Sequence, residues 1–175
     1  MAGALDKIRK QCITHRSDAY RAASQRLIPH IGSQFRVSEW TGKGYDAYNS
    51  QWNGPRHATA GWDWPEIFRV YRDYDRLPIV IWGPDERLCG LGIANTTGKA
   101  LTLNFLEGDP REGCPLKGRR ALIALEVSAH YAQSLGRSEL RVEPANSSLE
   151  SLYRDTYGFT KETPRQGHPY FRKEV

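Results

Sequence analysis

CPLKGRRALIAL, residues 114–125, joins a turn to a helix. Pro115 and Gly118 shape the turn, and Lys117, Arg119 and Arg120 crowd it with positive charge. An apolar helical pattern begins directly behind them. The first turn of a helix carries unpaired N–H groups and about half a positive charge from the aligned peptide dipoles. Three basic residues there oppose the helix, so the pattern implies an anion that compensates them. Gly118 would let the backbone approach that anion closely. A basic surface turn is the plainer alternative, and the surroundings decide between the two.

Behind the loop, Ile123, Val127, Tyr131 and Leu135 step by four, with Leu122, Leu125, Ala129 and Ala132 in the neighbouring row. This predicts a helix over 117–135, ended by Gly136. In front of the loop stand LPIVIW (77–82), LCGLGIAN (88–95) and ALTLNFLEG (100–108), separated by the turn segments GPDER and TTGK. They read as three consecutive antiparallel strands. SELRVEP (138–144) is a fourth strand, so strand, helix and strand make a right-handed βαβ crossover. A helix over 147–157, closed by Gly158, and a hairpin from FTKE and HPYFRKE complete the chain.

The N-terminal part is less regular. Leu5, Ile8, Cys12, Ala19, Ala23 and Leu27 predict a helix over 4–28, ended by Pro29 and Gly32. Residues 33–62 show no period, yet four of the five tryptophans (Trp40, Trp52, Trp62, Trp64) lie in this segment or just after it. A structureless stretch this long is commonly functional. Its aromatic rings either pin it to the body or line a pocket. Asp63 is a candidate N-cap, with Pro65 in the first turn of a short helix whose buried face would be Ile67, Val70 and Tyr71, with Tyr74 one turn on.

Composition bounds the rest. A chain of 175 residues with 39% hydrophobic and 26% charged residues suits one globular domain. No apolar run approaches the ~20 residues of a membrane span. No signal-like apolar segment follows Lys7, Arg9 and Lys10, so the expected location is cytoplasmic. Three separated cysteines form neither a disulfide framework nor a zinc motif, and five scattered histidines make no metal pattern, so no metal is expected. The net charge is +5. Residues 6–26 hold Lys7, Arg9, Lys10, Arg16, Arg21 and Arg26 against Asp6 and Asp18, which reads as a solvated helix face or a surface for an anionic partner.

Downstream of the loop stands RVEPANSSLESLYRDTYGF (141–159). Together with LTLNFLEG and KGRRALIALEVSAHYAQSLG, this order resembles the GNAT superfamily of acyl-CoA-dependent N-acyltransferases over about residues 77–175. The resemblance implies an α/β GNAT-like fold: a mixed central β-sheet of antiparallel meander, βαβ crossover and C-terminal hairpin, flanked by helices. Residues 1–76 would supply N-terminal helices and an aromatic acceptor side. It also implies acetyl-CoA, with its diphosphate on Lys117, Gly118, Arg119 and Arg120 and its arm along Phe105, Leu106, Asn146 and Tyr153. The family's loop usually reads Arg/Gln-x-x-Gly-x-Gly/Ala. Gly118 matches its first glycine, whereas Pro115 stands at the Arg/Gln position and Arg120 at the second small one.

Tyr153 matches the tyrosine near the thioester sulfur, where a phenol protonates the leaving thiolate as general acid. Its spacing to Gly158 is one residue longer than usual. A lysine-like amine is neutral only about once in a thousand molecules at pH 7. A base must therefore take its proton, and Glu107 is the first candidate, Asp109 the second, with His57 and Glu66 as outsiders. A backbone N–H near Leu106 would polarise the carbonyl. Direct attack in a ternary complex needs no covalent intermediate, so Cys114 is read as a passive thiol. Trp40, Trp52, Trp62 and Trp64 would face an amine acceptor, a small molecule or a protein. Nucleic acid is a further candidate partner, a membrane is not, and a monomer or homodimer is expected. The alternative reading is a nucleic-acid or protein interaction module on this fold with little catalysis.

Overall fold

The computed structural model describes residues 2–52, 62–144 and 146–175. Seven strands form one sheet: β1 (Arg36–Ser38), β2 (Leu77–Trp82), β3 (Leu88–Thr97), β4 (Ala100–Gly108), β5 (Glu139–Val142), β6 (Thr160–Glu162) and β7 (Tyr170–Glu174). Their order is β1-β2-β3-β4-β5-β7-β6, and every neighbouring pair is antiparallel except the parallel β4–β5. The meander, the crossover and the C-terminal hairpin are those expected. β1 is an addition, because Arg36, Val37 and Ser38 are too few to show an alternation. The helices are α1 (Ala2–Ile31), α2 (Gly42–Ala47), α3 (Trp64–Val70), α4 (Arg120–Ser134) and α5 (Ser147–Ser151). Residues 42–52, expected to lack regular structure, form α2 and a π-turn, Tyr48–Trp52.

The sheet is covered on both faces, which is why LPIVIW is apolar at every position. On one face α1 and α4 pack together over Leu77, Ile79, Ile81, Leu101 and Leu103. On the other, Trp52, Trp64 and Phe68 pack against Val80, Trp82, Leu91 and Ile93.

Two helix faces depart from the sequence reading. In α1, Leu5 and Ile8 were expected inside but are exposed, and burial starts at Cys12. Pro29 lies within the last turn rather than ending the helix. Arg16 is not on a solvated face but buried. Its guanidinium donates to Glu39 and to the carbonyls of Tyr74 (2.9 Å) and Arg76 (3.2 Å), so its charge is satisfied. In α3 the expected Asp63 cap is present, with the Glu66 N–H donating to its Oδ1 at 3.2 Å. The buried side chains, however, are Trp64 and Phe68, one turn apart, while Val70 is 55% exposed and Ile67 and Tyr71 are half-buried. Trp64 is itself the first helical residue, and this turns the face.

Two features of β4 position the site. The pairing of β4 with β5 covers only 100–103 against 139–142, and among the described residues it stops there. The last four residues of β4, 105–108, keep β3 as a partner but present their other edge openly. At the same point a bulge interrupts the ladder with β3, since Ile93 pairs with Phe105 and Ala94 with Leu103. Asn104 is the extra residue, and its Oδ1 accepts from Asn95 Nδ2 at 2.7 Å. Leu101 and Leu103 face α4 before the bulge. After it Leu106 faces that side, while Phe105 packs with the aromatic cluster on the other.

Candidate active site

The loop of residues 114–120 is built from two overlapping turns. Lys117 N–H donates to the Cys114 carbonyl (3.1 Å) and Arg119 N–H to that of Leu116 (2.9 Å). Leu116 is fully buried and anchors the loop. Gly118 has φ +80° with open space where a Cβ would sit, so glycine is favoured by backbone and not by crowding. The helix begins at Arg120 rather than Lys117, and Arg119 occupies the N-cap without a side-chain hydrogen bond. No acidic residue lies in the first turn. Lys117 and Arg119 are exposed. Arg120 is half-buried, lies over Gly108, and makes one long bond, from Nη1 to the Asp109 carbonyl at 3.3 Å. A Cβ on Gly108 would come within 2.1 Å of the Arg120 guanidinium carbon. Among the described residues none of these three basic groups forms an ion pair. An uncapped helix start ringed by uncommitted cations fits the diphosphate of a coenzyme A.

Beyond β5, the Asn146 side chain caps α5, accepting from the Leu149 N–H at 3.0 Å. The helix then widens into a π-turn, Leu152–Thr156, closed by Tyr157 N–H on the Leu152 carbonyl at 3.2 Å. This turn absorbs the extra residue between Tyr153 and Gly158. Tyr153 is 3% exposed, packed on Phe159 (ring centroids 5.8 Å apart) and beside Tyr157 (6.4 Å). Burial, reinforced by Tyr157, pushes its phenol up to about 12. Its hydroxyl has no hydrogen-bond partner among the described residues. Leu106 packs against the same cluster.

On the opposite face of β4 lies Glu107, 4% exposed. The Trp64 indole N–H donates to its Oε1 at 2.6 Å. Trp62 stands edge-on to Phe105 (5.0 Å) and to Trp64 (5.9 Å), and Tyr71 is 5.6 Å from Phe105. Trp62, Tyr71 and Phe105 are half-buried and make an aromatic wall beside Glu107. Tyr71 was assigned to a helix core by the sequence reading, and the structure puts it in this wall.

The other tryptophans differ. Trp52 is 2% exposed and its N–H donates to the Leu88 carbonyl at 2.9 Å, so it pins the segment. Trp64 is fully buried and reaches the site through its N–H alone. Trp40, half-buried, stacks on Phe68 at 4.5 Å, one ring behind the wall.

Asp109 is not free to act as a base. Its buried carboxylate accepts from Arg87 Nε (2.7 Å), from Arg111 Nε and Nη2 (both 2.9 Å) and from the Arg111 N–H (3.0 Å). Arg87 also donates to the carbonyls of Glu112 (2.8 Å) and Gly113 (3.3 Å), tying the start of the loop to β3. Arg111 reaches Gln51 Oε1 (2.9 Å), which also accepts the Leu88 N–H (2.8 Å). This network joins the π-turn at 48–52 to the loop of residues 114–120. The sequence reading missed it, since Arg87 and Gln51 carry no local signal. Glu66 is exposed and paired with Arg69, which lowers its pKa. His57 lies outside the described residues. No described helix is long and apolar enough to cross a membrane.

No family model matches the chain, and no curated protein matches it. Solved structures do. The ribosomal-protein-S18-alanine N-acetyltransferase of Escherichia coli is similar at TM-score 0.58 and 16% identity, over 81% of this chain and 94% of that one. The GNAT domain of S. lividans PAT gives 0.59 and 15%, over 81% and 90%. The PaiA N-acetyltransferase of Thermoplasma acidophilum, solved in complex with coenzyme A, gives 0.53 and 14%, over 81% and 99%. In its mixed seven-stranded sheet and flanking helices, this chain has the fold of the GNAT N-acetyltransferases.

Proposed function

We propose that the protein is an acetyl-CoA-dependent N-acetyltransferase that acetylates a primary amine by direct attack in a ternary complex. The observation that carries this reading is the open edge of β4 beyond Leu103, with Glu107 on one face and the cluster holding Tyr153 on the other. Acetyl-CoA supplies an activated acyl thioester. Lys117, Arg119, Arg120 and the first amides of α4 hold its diphosphate, with Gly118 leaving room. The Phe105–Leu106 backbone orients the acyl end and offers an N–H to the carbonyl oxygen, and Asn146 lies beside the arm. Glu107 takes the proton of the amine. Tyr153, protonated throughout the neutral range, returns one to the departing thiolate. Trp62, Tyr71 and Phe105 bind the acceptor's body, while Trp64 orients Glu107 and Trp40 and Trp52 support the wall.

The test is release of free CoA thiol with a panel of amines and peptides, beside a thermal shift with acetyl-CoA. At 100 times its Kd a ligand adds about 2.7 kcal/mol. Absence of a shift at millimolar acetyl-CoA sinks the reading. A second reading, an interaction module for nucleic acid or protein, draws on the first turns of α1, where Leu5, Ile8, Lys7 and Arg9 are all exposed. It requires an affinity for nucleic acid that falls steeply with salt, or a protein partner seated on that end.

A further inference from the structure

Cys89 and Cys114 lie 25 residues apart in sequence, yet both thiols are free, buried and adjacent. Their sulfurs and a carboxylate oxygen of Asp109 lie within 4.8 Å of one another. Local structure brings the two cysteines together. Ile81 pairs with Gly90 and Trp82 with Leu88, so Cys89 is the extra residue of a bulge in β3. A bulge re-aims a side chain, and Cys89 joins the cluster on the α4 side while Leu88 and Leu91 belong to the other. Room for its sulfur comes from Gly83, where a Cβ would stand 2.7 Å from Sγ. Cys114 opens the phosphate loop, and its carbonyl closes the first turn.

A divalent cation is a poor occupant for this cluster. The Asp109 oxygens already receive N–H groups from Arg87 and Arg111, and two guanidinium charges repel a metal. Burial and the neighbouring Cys114 push the Cys89 thiol up to about 12, which suits it to a resolving role rather than to first attack. Cys114 is the more accessible of the two, 7% exposed against 0%.

We propose that Cys89 and Cys114 form a reversible disulfide that regulates the phosphate loop, with a peroxide as oxidant. The Cys114 thiolate attacks a peroxide oxygen. The O–O bond breaks, leaving a sulfenic acid and a hydroxide that takes up the thiol proton as water. Cys89 sulfur then attacks Cys114 sulfur. The S–O bond breaks, the S–S bond forms, and a second water leaves with the Cys89 proton. Two thiols are oxidised and one peroxide is reduced to two waters. The sulfurs must close to about 2.05 Å. Cys89 is held in a strand between β2 and β4, so the loop moves, and with it the turn that presents Lys117 and Gly118. Oxidation therefore weakens diphosphate binding, a consequence that rests on the proposed cofactor site.

The experiment treats the native full-length chain with hydrogen peroxide, counts free thiols, and maps disulfide-linked peptides without reduction. Acetyl-CoA affinity is measured before oxidation, after it, and after reduction. The expected result is loss of two of the three thiols, a linked Cys89–Cys114 peptide pair, retention of Cys12, and about tenfold weaker binding that reduction restores. In Cys89→Ser, oxidised with glutathione present, the bridge is absent and the Cys114 sulfenic acid condenses with glutathione to a mixed disulfide and water. Oxidation confined to Cys12, intermolecular bridges only, or sulfonic acid without a bridge overturns the disulfide. A mapped bridge that leaves affinity unchanged overturns the regulation. If the reduced protein binds no acetyl-CoA, the cofactor reading fails and the regulation with it, while the peptide map still decides the disulfide.

Discussion

The Trp64 indole donates to the Glu107 carboxylate at 2.6 Å with both side chains buried, so a helix start and a strand end share one hydrogen bond. Glu107→Gln keeps the shape but cannot accept a proton. Acetyl transfer is expected to fall by about 10²-fold or more with acetyl-CoA binding intact. Steady-state rates beside calorimetric binding check this, and an undiminished rate removes Glu107 as base. Trp64→Phe deletes the donor to a charged acceptor, at a cost of about 1.5–3 kcal/mol in urea unfolding.

Tyr153→Phe tests the acid. Its hydroxyl has no partner among the described residues, so stability and cofactor affinity should be nearly unchanged while turnover falls about 10²-fold. Loss of affinity instead of turnover would assign the phenol to binding.

The same phenol predicts an alkaline limit. Its folded pKa, about 12, lies above the ordinary value of 10.0. Between these values the folded state holds the proton more tightly than the unfolded chain. Stability is therefore full below about pH 10 and declines as pH rises towards 12. Burial raises Tyr20 and Tyr131 as well, and they add to the decline. Urea midpoints across pH 9–12 measure it, and Tyr153→Phe should flatten the slope.

Asp109 predicts the acid limit. Burial opposes its charge, but hydrogen bonds from Arg111 and Arg87 outweigh burial and hold its carboxyl below the usual range. A depressed carboxyl stabilises above its unfolded value, and that contribution is lost as pH falls through the folded one. Acid unfolding should therefore steepen below about pH 4. Asp109→Asn strands two guanidinium groups and should cost about 3 kcal/mol. It also frees the Arg87 tether to Glu112 and Gly113, so acetyl-CoA affinity should fall too. Unchanged stability would contradict the network.

Arg120→Ala removes a half-buried cation from the proposed phosphate loop. Acetyl-CoA affinity should drop about tenfold or more, the worth of one charge-assisted hydrogen bond. Gly108→Ala should do the same without touching a charge, because the new Cβ displaces the guanidinium. Equal affinity in both variants would remove Arg120 from the site.

Much of the frame was legible because its signals are local. The runs at 77–82, 88–95 and 100–108 and the four-step pattern of α4 need only neighbours to be read. Glu107 was legible as an acid at a strand end, but its buried place beside Trp64 was not, since that contact spans 43 residues. Trp64 was grouped with pocket-lining rings because a sequence does not show which face of a loop turns inward. Arg16 looked solvated for the same reason, its partners lying 23 to 60 residues away. The π-turn at Tyr153 left a trace, one residue too many before Gly158, without revealing its form.

The bulge at Asn104 sets the phase of everything after it. In an uninterrupted strand, odd-numbered positions that begin with Leu101 and Leu103 on the α4 side would stay there, and Glu107 with them. One supernumerary residue exchanges the two sides, so the carboxylate meets indole rings and Leu106 takes its place against the helix. Glu107 and the cluster that holds Tyr153, the proposed proton acceptor and donor, thereby come to flank the open edge from opposite directions. Deleting Asn104 would keep that phase, whereas straightening the strand with Asn104 retained would swing Glu107 to the side of the sheet that holds Tyr153.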